Sequence, residues 1–149
     1  MVLALQASKV PSRTDVGDPL LKQTAKEHFE KKVAILMKQK FFAFQLDGWS
    51  NPRREKLINI LASGPNMDPL HLETIATGVD SQTGEYIARL IGAKVDKLDA
   101  IVGESKVSSV TTDNAPNMEK AWGILESTRG LLCNGCAAHV LNLLLQDVA

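Results

Sequence analysis

The spacing of apolar residues changes partway along the chain, and this change limits the possible folds more than any other feature. Three short runs come first. Phe41-Phe42-Ala43-Phe44-Gln45-Leu46 leads into Asp47-Gly48, Lys56 to Ser63 is closed by Gly64-Pro65, and Leu70 to Thr77 is closed by Gly78. These runs have strand length, and their connections are short and rich in Asn, Pro, Gly and Asp, as antiparallel hairpins need. Helical spacing then takes over. Thr83-Gly84-Glu85 opens a helix on which Ile87, Leu90, Ile91, Val95, Leu98 and Val102 form one stripe. A fourth strand, Val107 to Thr112, runs into Asp113. A helix over about 117–127 carries Met118, Ala121, Trp122 and Leu125. A fifth strand is expected at Gly130 to Cys133, and a last helix from Gly135 onward with Val140, Leu141, Leu143, Leu144 and Val148.

Ahead of the strands, Asp18 as N-cap and Pro19 at the first helical position start another helix, with Leu21, Ala25, Phe29, Val33 and Leu36 at helical spacing. Residues 1–17 are expected to be a poorly ordered leader, and residues 18–149 a single domain. After the first helix the order reads β-β-β-α-β-α-β-α. That predicts an α/β fold with a mixed five-stranded sheet and helices on both faces. It is the strand order of an RNase H-like fold, in which the first and fourth strands lie side by side. The last helix is expected to bury Leu141, Leu144, Leu145 and Val148 partly against the sheet.

Composition narrows the function classes. With 44% hydrophobic and 23% charged residues among 149, the chain is neither disordered nor a membrane protein by type. No apolar run approaches the ~20 residues of a membrane span. The apolar start, Met1 to Gln6, has no basic region before it, so a secretory signal is not expected and the location is nuclear or cytoplasmic. Cys133 and Cys136 are too few and too close for a disulfide framework and are read as thiols. Net charge is zero, yet residues 1–40 carry eight Lys/Arg against four Asp/Glu, and residues 41–149 nine against thirteen. A basic arm ahead of an acidic body is compatible with nucleic-acid contact, or with a solvated helix face.

Asp47 and Asp113 are the candidate catalytic residues. Each follows an apolar, strand-like run, and a buried carboxylate there is costly unless something pairs with it. On neighbouring strands the two can share a divalent cation, the core of a two-metal phosphoryl-transfer site. Taken singly, Asp47-Gly48 is also a common turn pair and Asp113-Asn114 a plausible cap. Cys133-x-x-Cys136-x-x-His139 offers three ligands where structural zinc takes four, and Cys133 also suits a packed strand position. Trp49 and Trp122 read as core or groove wall. Arg53-Arg54 can meet a phosphate or stand in solvent.

Asp47-Gly48-Trp49-Ser50-Asn51, Thr112-Asp113-Asn114-Ala115-Pro116-Asn117-Met118 and Cys133-x-x-Cys136-Ala-Ala-His139-x-Leu-Asn142-Leu143, in this order, resemble the hAT-like transposases, and within them the transposase-like "domain of unknown function" group. The resemblance spans about residues 20–149. It implies an RNase H-like core that cuts and joins DNA with Mg²⁺ or Mn²⁺. Asp47 and Asp113 match the first two catalytic aspartates and metal ligands, and Cys136 and His139 match the Cys-x-x-His motif beside them. Nothing matches the family's catalytic glutamate, its amino-terminal zinc finger or its carboxyl-terminal dimerisation region. The expectation is therefore a fragment or decayed, domesticated derivative, inactive alone, with DNA, a second copy or a full-length transposase as partner. The alternative is a non-catalytic RNase H-like module that binds nucleic acid or protein.

Overall fold

The structure, a computed structural model, describes residue 17 and residues 19–78, 82–103 and 105–148, without the side chains of 147 and 148. Its elements are α1 (Pro19–Lys38), β1 (Phe42–Ser50), β2 (Lys56–Gly64), β3 (Met67–Gly78), α2 (Gly84–Val102), β4 (Val107–Thr112), α3 (Pro116–Arg129), β5 (Leu132–Gly135) and α4 (Ala137–Val148). The chain divides into two compact units, Met1–Lys32 and Val33–Ala149, so the boundary falls inside α1. The expected leader, Gly17 apart, and the Asp18 cap lie outside the described residues; Pro19 does open α1. In the first unit Gln23 Nε2 donates to Glu27 Oε1 at 3.0 Å, a one-turn pair on an exposed helix.

In the second unit the strands form one sheet in the order β3-β2-β1-β4-β5. β1, β2 and β3 pair antiparallel, while β4 pairs parallel to both β1 and β5. This is the α/β mixed sheet expected from the element order, in an arrangement consistent with an RNase H-like fold. Pro69 is tolerated because β3 is an edge strand, where a missing N–H breaks no necessary ladder bond.

The core lies on one face of the sheet. Phe42, Phe44 and Leu46 of β1, with Ile58 and Ile60 of β2, meet Ile87, Ile91 and Val95 of α2 and Met118, Ala121 and Leu125 of α3. Each fully buried Ile or Leu contributes about 1.5–3 kcal/mol. α2 and α3 share the face of Phe44, while Gln45 and Asp47, at alternate positions along β1, are exposed.

α2 begins as expected, with Thr83 Oγ1 accepting from the Tyr86 N–H at 3.2 Å. It approaches α3 so closely at Gly84 that a Cβ there would stand 2.7 Å from Lys120 Cβ, which only glycine avoids. At the other end Arg129 forks onto Asp96 at 2.6 and 2.8 Å, holding the Asp96 carboxyl below the usual carboxylate range.

Two expectations need correction. β5 starts at Leu132, not Gly130. Gly130 is taken by the left-handed cap of α3 (φ 66°), its N–H bonding Glu126 O, so pairing with β4 starts only after the buried Leu131. The last helix does not bury its leucines. Leu141, Leu144 and Leu145 are 62%, 56% and 65% exposed, because α2 and α3 already fill the apolar face of the sheet. The side chain of Val148 lies outside the described residues.

Candidate functional site

A groove opens where two strands part. β1 and β4 pair through Ala43↔Ser109, Phe44↔Val110 and Gln45↔Thr111. β4 then ends at Thr112, while β1 runs on against β2 through Asp47↔Asn59, Gly48↔Ile58 and Trp49↔Leu57 to Ser50↔Lys56. The Asp47-Gly48 pair therefore does not end the strand, as its turn chemistry suggested; hairpin pairing overrides it. Carried two residues past Gln45↔Thr111, the same register would bring Asp47 level with Asp113, the residue that follows β4. Asp47 is exposed and Asp113 half-buried.

Between the parted strands lies a groove of about 280 Å³. Gly48, Trp49, Ser50 and Lys56 line it from the hairpin, and Asp113, Ala115 and Asn117 from the β4–α3 turn. Trp49 is 45% exposed there, a groove wall and not core. Asn117 Nδ2 donates to Gln82 O at 2.8 Å, and Gln82 Nε2 to Thr77 Oγ1 at 2.8 Å, which ties the far wall to β3.

Asp113 is held from several sides. Buried Thr112 donates from Oγ1 to Asp113 O at 2.7 Å and accepts from Trp122 Nε1 at 3.1 Å. The Ala115 N–H donates to Asp113 Oδ1 at 3.0 Å, an Asx turn that leads into α3. The N-cap itself is Ala115 rather than Asp113 or Asn114. Asn114 lies directly on Gly135, where a Cβ would overlap Asn114 Oδ1, so a larger residue at 135 would have to displace that amide.

A family model described as a domain of unknown function (DUF659) matches residues 11–149. The chain belongs to the DUF659 family. No curated protein matches it.

The motif residues of this DUF659 chain fall into two groups. Cys136 sits beside the Asp113 turn, its N–H bonding Thr112 O at 2.7 Å. His139 stands one turn on, exposed on α4, its N–H bonding Cys136 O at 3.1 Å. Cys133 pairs with Val110 in the sheet, and burial, then the nearby Glu126, push its thiol up to about 11. Partly buried, Cys133 packs against the core from β5. Among the described residues no group of three or more His, Cys, Asp or Glu is placed to hold a metal ion. One Asp113 oxygen is engaged by the Ala115 N–H, and two aspartates alone do not make up the donor set of a two-metal centre.

Sequence reasoning missed the residues that fix Asp113: Thr112 and Gly135, and Trp122 as a hydrogen-bond donor. It also missed Asn59, the cross-strand neighbour of Asp47, whose Oδ1 accepts from Thr74 Oγ1 at 2.7 Å. Only Gly135 carried a local signal, as a glycine at a strand end. The others depend on pairing across distant elements.

Proposed function

We propose that this domain derives from a DNA transposase of the hAT-like group and retains the remnant of its cleavage site, with Asp47 and Asp113 as the former metal-binding, catalytic pair. The DUF659 family is known as transposase-like. What supports the reading is the parallel β1–β4 register, whose last pair is Gln45↔Thr111; continued by two residues it would set Asp47, inside β1, level with Asp113, just past the end of β4. Ligands of open α/β sheets bind beyond the carboxyl ends of strands, where strand order reverses. Asp47 and the free oxygen of Asp113 would hold a single Mg²⁺ or Mn²⁺, which would supply charge neutralisation for a phosphate. Trp49 and Asn117 would bound the space beside it. No DNA cleavage is expected from this chain alone. Its partners in this reading are DNA, and a second copy or a full-length transposase met through the open face of α4.

Manganese binding followed by electron paramagnetic resonance tests the pair. Weak binding that Asp47→Asn and Asp113→Asn each abolish supports it, and identical titrations of all three proteins sink it. Nicking of supercoiled DNA with Mg²⁺ or Mn²⁺ should stay at background throughout. A second reading, a non-catalytic binding module, is favoured by the incomplete donor set. Under it, DNA binding survives both aspartate substitutions.

A further inference from the structure

The turn between β1 and β2 is built more firmly than a connecting loop requires. Asn51 Oδ1 accepts from the N–H groups of Arg53 and Glu55 at 2.9 and 3.0 Å. Asn51 Nδ2 donates to Glu55 Oε2 at 2.6 Å, and Asn51 N to Glu55 O at 3.1 Å. Within this frame Arg54 is held at φ 62°, the only non-glycine at positive φ among the described residues. Side chains rarely adopt that conformation, and residues kept in it cluster where the geometry has a use.

The turn presents an isolated island of positive charge. Arg53, Arg54 and Lys56 stand in four consecutive positions, exposed, on a body that carries nine Lys/Arg against thirteen Asp/Glu over residues 41–149. The one intervening carboxylate, Glu55, is turned back onto Asn51. Among the described residues neither arginine has an ion-pair partner. Behind them Lys56 and the half-exposed Trp49 line the Asp113 groove.

We infer that the β1–β2 hairpin tip binds the phosphate backbone of single-stranded nucleic acid and leads it toward the Asp113 groove. Arg forks match phosphate oxygens, and a base stacks on an exposed indole at little cost in sequence preference. An anionic lipid surface or an acidic peptide would satisfy the cations but has no base to lay on Trp49. The inference deepens the reading above, resting on it only for DNA as the ligand.

The test is the anisotropy of a fluorescent single-stranded DNA oligonucleotide titrated at several salt concentrations. The intact protein should bind with strong salt dependence. The double variant Arg53→Ala, Arg54→Ala should bind about tenfold more weakly at low salt, its slope of log affinity against log salt shallower by about 1.4, for two lost contacts. Arg54→Gly separates binding from folding, because it relieves the positive φ: it should melt at a higher temperature and still bind DNA more weakly. Unchanged affinity and slope in the double variant overturn the inference. So does absence of binding by the intact protein, or equal binding to phosphatidylserine vesicles. Manganese binding lost in Asp47→Asn alongside unchanged DNA binding by the arginine variants would leave the transposase reading standing and remove the hairpin from it.

Discussion

α2 and α4 are nearly equal in amphipathicity, and their fates are opposite. Along α2, Ile87, Ile91, Val95 and Leu98 sit against the sheet and α3 with exposures of 0%, 0%, 5% and 9%. Along α4, every described side chain from Ala137 to Gln146 is exposed, five of them Leu or Val. An apolar stripe shows that a helix has a face to bury. It does not show where the covering surface is. α2 meets a sheet face that β1 and β2 have already made apolar, and it does so through a glycine contact with α3. α4 leaves the sheet from the short edge strand β5, on the side of the Asp113 turn.

The largest effect that could break this contrast is on stability. Ile91→Ala removes a fully buried side chain from the centre of the packed face. It should cost about 3–4 kcal/mol in urea unfolding, the transfer term plus a cavity between α2 and the sheet. A cost under about 1 kcal/mol would mean that α2 is no more firmly seated than α4, and the distinction would fall.

A smaller effect locates the boundary between the two regions, which runs between Cys133 and Cys136. Cys133 faces inward from β5, with its thiol pushed up to about 11 by burial and Glu126. At pH 8 about a thousandth of it is thiolate, against roughly a quarter for an ordinary cysteine, so iodoacetamide should label it about two hundredfold more slowly than a free thiol. Labelling followed by peptide mass spectrometry reads each cysteine separately. Rapid labelling of Cys133 in the folded protein would mean that β5 belongs to the open region.

The elements most legible in the sequence were those whose signals are local. Thr83 capped α2, the turn after Gly64 closed β2, Gly78 ended β3, and the stripe from Ile87 to Val102 became the packed face. The adjacency of the strands bearing Asp47 and Asp113 was also legible, because element order alone selects few topologies. Three things were not. The extension of β1 to Ser50 depends on β2 pairing with it, which outweighs the turn tendency of Asp47-Gly48. The start of β5 depends on Gly130 being consumed as a helix cap. The exposure of α4 depends on how much apolar sheet surface α2 and α3 leave, a quantity no helical periodicity encodes. The site divides in the same way. Its aspartates stood out as carboxylates at strand ends, whereas the Trp122–Thr112 bond that holds one of them joins residues ten apart through tertiary packing.

The smallest expected change is the most telling about α4. Leu144→Ser alters a side chain that is 56% exposed, so unfolding stability should move by no more than about 0.5 kcal/mol, most of it helix propensity. Its consequence should appear in solution behaviour. Val140, Leu141, Leu144 and Leu145 lie at spacings of three and four, so they present one face, and from Ala137 to Gln146 α4 has no Lys, Arg, Asp or Glu to oppose contact between two such faces. Exposed apolar area of this kind drives association. Sedimentation velocity over a range of concentrations should show the parent protein moving toward a larger species and Leu144→Ser lagging behind it, with Leu144→Ser plus Leu141→Ser further back still. The two measurements constrain each other. A loss of more than about 1 kcal/mol in Leu144→Ser would place the residue in a packed interior and erase the difference from α2. Unchanged stability with unchanged sedimentation would leave α4 open and remove self-association as what covers it.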